Sequence, residues 1–325
     1  MAADRIRLVD VAARAGVTST TASLALNGKP GVSEAVREKI VRLAREMGYV
    51  PHQGARALAR GRSGHWAAWV TGPDDIWSRW LSGVLTQTSM RVIVSRLPSR
   101  ERRRDMLRLA TAEGRVDGCL VFDPDGDDAG LQPLWEHGIP TIVAGRRSHW
   151  FDCLEIHDRQ ALDTLMAQLS LGGRRAIALV ATRTQRHRDD DRIRAWREAM
   201  REHADAPLVV ITEDSPEQGM SAATQLLAQT RRPEAVLCLA GDRSALGILR
   251  EARLRHLSVP GDLAVAGWGD LPFAAWVEPE LTTVSAPWED LGIRSALTLA
   301  RRASRKDLPR IHRTVDARAV VRRSG

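Results

Sequence analysis

Four short polar side chains, Ser19, Thr20, Ser23 and Asn27, lie close together near the start of the chain. Each can bond a phosphate oxygen or the edge of a base. The residues before them supply a way to present that set. Leu8, Val11, Ala12 and Ala15 recur at helical spacing. Gly16-Val17-Thr18 then interrupts the pattern, with a glycine free to take the positive φ of a tight turn and a threonine suited to an N-cap. Ser19 to Asn27 reads as a second helix with Ala22, Ala25 and Leu26 turned inward, followed by a Lys29-Pro30-Gly31 turn. Ser33 is placed to cap a third helix from Glu34 to Met47, with Val36, Ile40, Leu43 and Met47 on one face and Gly48 ending it. Two packed helices, the second carrying small polar residues outward, meet the requirements of a DNA-reading helix-turn-helix. For Ser23 alone a plainer role is a small residue at a helix contact, and Val11, Ala12, Val17, Ala22 and Leu26 read as core.

Other clusters carry less chemistry. His149, Cys153 and His157 recur every four residues and Asp158 follows, a spacing that aligns metal ligands only on a helix. The intervening Trp150-Phe151-Asp152 and Leu154-Glu155-Ile156 read as loop and strand, so no metal site is expected. In His187-Arg188-Asp189-Asp190-Asp191-Arg192 the acids precede a helical pattern and suit its positive N-terminus. Gly172-Gly173-Arg174-Arg175 lacks the Gly-Lys-Ser/Thr that completes a phosphate loop. No Ser/His/Asp or Cys/His set stands in a nucleophile context, and no motif calls for a cofactor. An enzyme, in particular a sugar-processing one fused to a DNA module, therefore remains only a formal alternative.

Charge separates the chain into two parts. Residues 1–63 carry eleven Lys/Arg against five acids, while the other 262 residues carry 37 against 35. A basic module on a nearly neutral body points to polyanion contact by the module alone, though solvated helix faces would also raise its charge. Residues 51–63 are rich in Gly, Ala and Arg and read as a linker with at most a marginal helix between Gly54 and Arg60. Beyond them, short apolar runs (Trp66–Val70, Arg91–Val94, Gly118–Phe122, Thr141–Ala144, Ile177–Val180, Leu208–Ile211, Ala235–Leu239, Leu263–Ala266) alternate with helical patterns such as Arg100–Ala112, Leu162–Leu171, Ile193–His203, Pro216–Gln229 and Arg243–Arg253. That rhythm is α/β with parallel sheets, and about eight strands broken near His157–Arg159 divide into two similar halves. Cys119, Cys153 and Cys238 are odd in number and widely spaced, which favours buried free thiols over disulfides. There is no signal-peptide core at the N-terminus and no apolar run of membrane-spanning length, so a cytoplasmic protein is expected, associated with the nucleoid if it binds DNA.

The segment Val9-Asp10-Val11-Ala12-Ala13-Arg14-Ala15-Gly16-Val17-Thr18-Ser19-Thr20-Thr21-Ala22-Ser23-Leu24-Ala25-Leu26-Asn27-Gly28 resembles the opening of the lactose-repressor (LacI/GalR) family of transcription regulators. The likeness continues through Val32-Ser33, Arg37, Ile40, Gly48-Tyr49-Val50-Pro51 and Ala55-Arg56-Ala57-Leu58. It implies that Ser19, Thr20 and Leu24 read base edges in the major groove. Thr18, Ser23, Asn27 and Ser33 match phosphate-anchoring positions, with Arg7 and Tyr49 in the same interface. Leu58 matches the hinge leucine that wedges into the minor groove, flanked by Arg56. Leu24, apolar here, suits a thymine methyl and not a guanine edge.

Looser matches extend the resemblance to a two-lobed, periplasmic-binding-protein-like domain. They are Arg115-Val116-Asp117-Gly118, Gly138-Ile139-Pro140-Thr141, Ala240-Gly241-Asp242, Val259-Pro260-Gly261-Asp262-Leu263 and Pro279-Glu280-Leu281-Thr282-Thr283-Val284. The organisation implied is a helix-turn-helix domain at 1–50, a hinge at 51–63 and an effector and dimerisation domain at 64–325. Lobe 1 takes about 64–157 and 288–314, and lobe 2 about 158–287 and 315–325, with crossovers near His157, Pro287 and Val315. The function implied is a repressor that binds a palindromic operator as a homodimer and answers to a small molecule, sugar-like or less polar, in the interlobe cleft. Trp77, Arg192, Asp242, Trp268, Asp270 and Trp288 fall at effector-binding positions. The family's Asn before Asp242 is Gly241, the first acid of its Gly-Tyr/Phe-Asp-Asp is Gly269, and a glutamine after the Thr-Thr-Val strand is Ala286. The helix at about Ile76 to Ser89 looks short, which bears on dimerisation. These departures leave open a ligand-independent regulator whose second domain only dimerises.

Overall fold

The computed structural model describes residues 6–49, 63–97, 116–122, 128–183, 185, 191–201, 208–305 and 307–325, together with residues 103, 105 and 107. The chain forms two compact units, one built on its first 65 residues and one on nearly all the rest. Arg56 and Leu58, expected in a hinge, lie outside the described residues, as do most of the helix expected at Arg100–Ala112 and the acids Asp189 and Asp190.

In the first unit three helices, α1 (Leu8–Ala15), α2 (Ser19–Leu26) and α3 (Glu34–Glu46), enclose a core of Val11, Ala12, Ala15, Ala22, Ala25, Ile40 and Ala44. The predominance of alanine lets these short helices approach closely. Gly16 ends α1 in the left-handed region at φ 73°, which turns the chain sharply into α2. Ser33 stands at the N-cap of α3 with extended backbone, but its side chain makes no cap bond, contrary to the role expected from the sequence.

The second unit is α/β, and its described residues form twelve strands where the sequence reading counts about eight. Its larger sheet runs in the order β11 (His312–Asp316), β5 (Asp152–His157), β4 (Thr141–Gly145), β3 (Gly118–Phe122), β1 (His65–Val70), β2 (Arg91–Arg96). The smaller runs β7 (Val209–Thr212), β6 (Ile177–Thr182), β8 (Ala235–Cys238), β9 (Ala264–Ala266). Every pairing recorded in the β11–β5–β4–β3–β1 and β7–β6–β8–β9 series is parallel. A two-stranded antiparallel ribbon joins β10 (Thr283–Ser285) to β12 (Arg318–Val320). The strands missing from the sequence reading lack a long apolar run: β10 and β12 have three residues each, and β11 is polar and mostly exposed.

The helices are α4 (Asp74–Gln87), α5 (Gln132–Glu136), α6 (Arg159–Leu169), α7 (Asp191–Met200), α8 (Pro216–Leu227), α9 (Asp242–Leu254) and α10 (Trp288–Ser304). The chain passes between the sheets three times. After His157 it leaves β5 for α6, which packs on β8, β9 and the ribbon. After Ser285 it returns through α10 to α4, β3 and β4. At Ala317 it passes from β11 to β12, where the Ala317 amide donates to the His157 carbonyl at 2.9 Å and ties two crossings together. Helices α4 and α10 approach backbone to backbone: a Cβ at Gly83 would collide with the Glu289 carbonyl, and one at Gly292 with that of Trp80. Beneath them Trp80 packs on Phe122 at 5.0 Å between ring centroids and donates its indole N–H to Ser295 at 3.2 Å. The three cysteines are buried and free, and burial pushes the Cys119 and Cys238 thiols up, which keeps them unreactive.

Candidate nucleic-acid interface and ligand cleft

Helix α2 begins at Thr18, whose hydroxyl oxygen accepts from the Thr21 amide at 3.2 Å. That cap uses the Thr18 side chain locally and leaves Ser19 and Thr20, in the first helical turn, exposed. Ser23, Leu24 and Asn27 follow at helical spacing and are half-buried. The Asn27 side chain folds back, Nδ2 donating to the Ser23 carbonyl at 2.9 Å, while its Oδ1 is buried without a hydrogen bond. At the entrance to α1 the Arg7 amide donates to Asp10 at 2.7 Å, and Arg7 itself is exposed. Tyr49 is half-buried against the core, and its amide donates to the Ala44 carbonyl at 2.8 Å, closing the end of α3.

Two of the basic residues that raise the charge of this module bond to backbone carbonyls of the module itself. Arg37 in α3 forks onto the end of the recognition helix, Nη1 donating to the Ala25 carbonyl at 3.1 Å and Nη2 to the Lys29 carbonyl at 2.9 Å. Lys39 donates to the Ala15 carbonyl, the last residue of α1, at 3.0 Å. Both bond to carbonyls at or just beyond a helix C-terminus, and both place positive charge at the negative end of the helix. Sequence reasoning found Arg37 only as a family match and gave Lys39 no role. A contact 12 or 24 residues long leaves no local signature.

In the second unit, residues that follow strands of both sheets come together: Asp158 follows β5, and Arg192 and Trp268 follow β6 and β9. Trp77, in the first turns of α4, is half-buried and donates its indole N–H to Asp74 at 3.0 Å. Arg192, 12% exposed, places its guanidinium 4.9 Å from the centroid of the Trp268 ring and Nε 3.8 Å from Asp158. Arg192, Trp268 and the crossover thus come together, a cation over an indole face beside a carboxylate. Trp288 lies deeper, edge-on to Phe122 at 5.8 Å, with its indole N–H buried and without a hydrogen bond.

Asp242, the first residue of α9, is fully buried. Its Oδ1 accepts from the Thr283 hydroxyl at 2.6 Å and its Oδ2 from the Leu271 amide at 2.8 Å, so both oxygens bind α9 to the β9–β10 region. Burial pushes its carboxyl up to about 6 against those two bonds, with Asp270 and Asp214 adding repulsion. Asp270, with φ at 49°, accepts from Arg322 at 2.8 Å. Asp214 accepts from the Ser244 amide at 3.0 Å, and burial raises its carboxyl while Arg243 pulls the other way. Its carboxylate fills the place a Cβ at Gly241 would need, and Gly241 has φ of 147°. No group of three or more metal-ligating side chains occurs among the described residues.

Residues 7–52 match the family described as bacterial regulatory proteins, lacI family, and residues 166–325 match the periplasmic binding protein-like domain. The transcriptional regulator CelR of Thermobifida fusca is 30% identical over 97% of both chains. The chain belongs to the LacI family of bacterial regulatory proteins. The HTH-type transcriptional repressor PurR of Vibrio campbellii is 29% identical over 92% of both chains. Among solved structures, a CelR–cellobiose complex aligns over 99% of this chain and all of its own, with a TM-score of 0.70 and 26% identity. The Lac repressor dimer bound to operator shares the fold at a TM-score of 0.81 over 99% of each chain, with 22% identity. This LacI-family chain is therefore a DNA-binding transcription regulator, and these relatives are regulators rather than enzymes. No helix among the described residues is long and apolar enough to cross a membrane.

Two outcomes follow from this geometry. Arg37→Ala removes a charged donor from two carbonyls, which costs about 1.5–3 kcal/mol each way such bonds are measured. Operator binding should weaken while the slope of log K against log salt stays unchanged; a slope lower by about one would make Arg37 a phosphate contact instead. For Asp242, the folded-state carboxyl lies above its ordinary 3.8, so the folded protein holds a proton that the unfolded chain releases first. Its contribution to stability is full below about pH 4 and is lost as pH rises to about 6, a fall of about 3 kcal/mol. Urea unfolding across that window should show the fall in wild type, and Asp242→Asn should lack it.

Proposed function

We propose that this regulator represses transcription as a homodimer on a palindromic operator, with residues 1–50 reading DNA, 51–63 as hinge and 64–325 as the sensing and dimerising domain. The observation that carries the reading is the exposed pair Ser19 and Thr20 in the first turn of a short helix whose far end is clamped from α3. Ser19 and Thr20 reach base edges, and Leu24 meets a thymine methyl. Ser23, Asn27, Thr18 and Ser33 hold phosphates, and Arg7 and Tyr49 flank them. Leu58 enters the minor groove between the two hinges, with Arg56 on the adjoining phosphates. DNA as partner places the protein in the cytoplasm, at the nucleoid. No catalytic role and no cofactor is assigned.

The cleft of the second unit is the effector site in this reading. Two related structures carry sugars by description: a CelR complex holds cellobiose and a LacI-family regulator from Enterococcus faecium holds ribose. Among the described residues, several polar groups at these positions are already engaged. Asp242 is engaged on both oxygens, Asp270 is paired with Arg322, and the positions 241 and 269 carry no side chain. Trp77 is half-buried, Trp268 lies under the Arg192 guanidinium and Trp288 is buried against Phe122, and indole at these positions favours a ligand less polar than a free hexose.

Gel-shift binding to a palindromic site tests the DNA half: Leu58→Asp should weaken it at least about a hundredfold, by analogy with losing an apolar wedge worth a few kcal/mol, and deletion of 1–63 should abolish it. Undiminished binding by either variant contradicts the proposal. Calorimetric titration with common hexoses should give no heat, and micromolar binding of one would refute the less polar ligand.

A further inference from the structure

Two helices of the second unit point their N-termini at the same gap from opposite lobes. Helix α4 packs on α10 and follows β1 of the larger sheet, while α9 packs on α8 and the smaller sheet. Asp75 is in the first turn of α4, where an acid is favoured by the helix dipole. Arg243 is in the first turn of α9, where a cation is disfavoured by the same dipole. The Arg243 guanidinium reaches across to the Asp75 carboxylate, and Asp214 acts on it from its own lobe. One turn further along α4, on the face that carries Asp75, Arg79 donates to the carbonyls of Asp270 at 3.3 Å and Gly269 at 3.5 Å. Gly269 has φ of 133°, and a Cβ there would come within 3.4 Å of Ile76, also from α4. That distance is ordinary contact, so it is the positive φ at 269 that favours glycine there, and Ile76 packs beside it.

We propose that Arg243–Asp75 and Arg79 with the 269–270 carbonyls form a latch that holds the two lobes together. The cation at an unfavourable helix end is explained by its partner in the other lobe. A ligand that engages Arg243 has to compete with the Asp75 carboxylate, so occupancy and lobe position are coupled through this pair. The meaning of the latch for regulation rests on the effector reading of the cleft, whereas its existence does not.

Hydrogen exchange of the ligand-free, full-length protein tests it, read at the peptides that contain the crossings at residues 157–159, 285–288 and 316–318. Asp75→Asn and Arg243→Gln should each speed exchange there by about threefold, the scale of a half-exposed ion pair, and the double variant should be no faster than either single. Exchange in the alanine-rich core of α1 to α3 should not change, which separates opening from general loss of stability. Unchanged exchange at the crossings in the singles, or effects that multiply in the double, overturns the latch. Because no ligand is added, failure here leaves the effector reading standing, and a hexose that fails to bind leaves the latch standing.

Discussion

An isolated helix of eight residues has too few internal hydrogen bonds to offset the entropy of ordering its backbone. Both helices of the DNA-reading pair are of that length, so the module depends on what holds them from outside. Helix α3 does this by two means. Its Ile40 and Ala44 complete the small core, and its Arg37 and Lys39 reach the terminal carbonyls of the other two helices. With the far end of α2 fixed in this way, its first turn can carry Ser19 and Thr20 exposed without fraying. The positive charge of the module is accordingly not all available to DNA: Arg37 and Lys39 are used in building the reader.

The second unit meets a different constraint. Its chain crosses three times between two parallel sheets, and each crossing leaves backbone polar groups that need partners. The bond from Ala317 to His157 pairs two of them, while Asp242, accepting from the Thr283 hydroxyl and the Leu271 amide, ties α9 to the β9–β10 region. A carboxyl at the start of α9 that is buried and doubly bonded is a structural member first. The groups at the mouth, Arg192 over Trp268 beside Asp158, and Arg243 with Asp75, carry charge that is only partly buried and can exchange partners. That division between fixed and exchangeable polar groups is what a two-state sensor requires.

The helical periodicity of residues 8–47 and the eight apolar runs were legible because each is a local pattern repeated at a fixed period. The turn at Gly16 and the N-cap at Thr18 were legible for the same reason. The capping of α1 and α2 by Lys39 and Arg37 was not, since it joins residues far apart in sequence. The exposed strand β11 was missed because His312–Asp316 alternates nothing apolar that a period could detect. At the cleft, sequence resemblance located Asp242 and Arg192, but the state of their side chains follows from neighbours such as Thr283, Leu271 and Trp268, brought in by topology. The Arg243–Asp75 contact spans 168 residues and two sheets, and nothing in either local sequence announces it.

The central claim is that a basic module on a neutral, dimerising body reads a two-fold symmetric DNA site. Selection of bound duplexes from a random pool with the full-length protein tests it most directly. The account predicts enrichment of one inverted repeat, with half-sites related by a dyad and a central step suited to a leucine wedge. Recovery of an unenriched pool, or of a single asymmetric site, would contradict it.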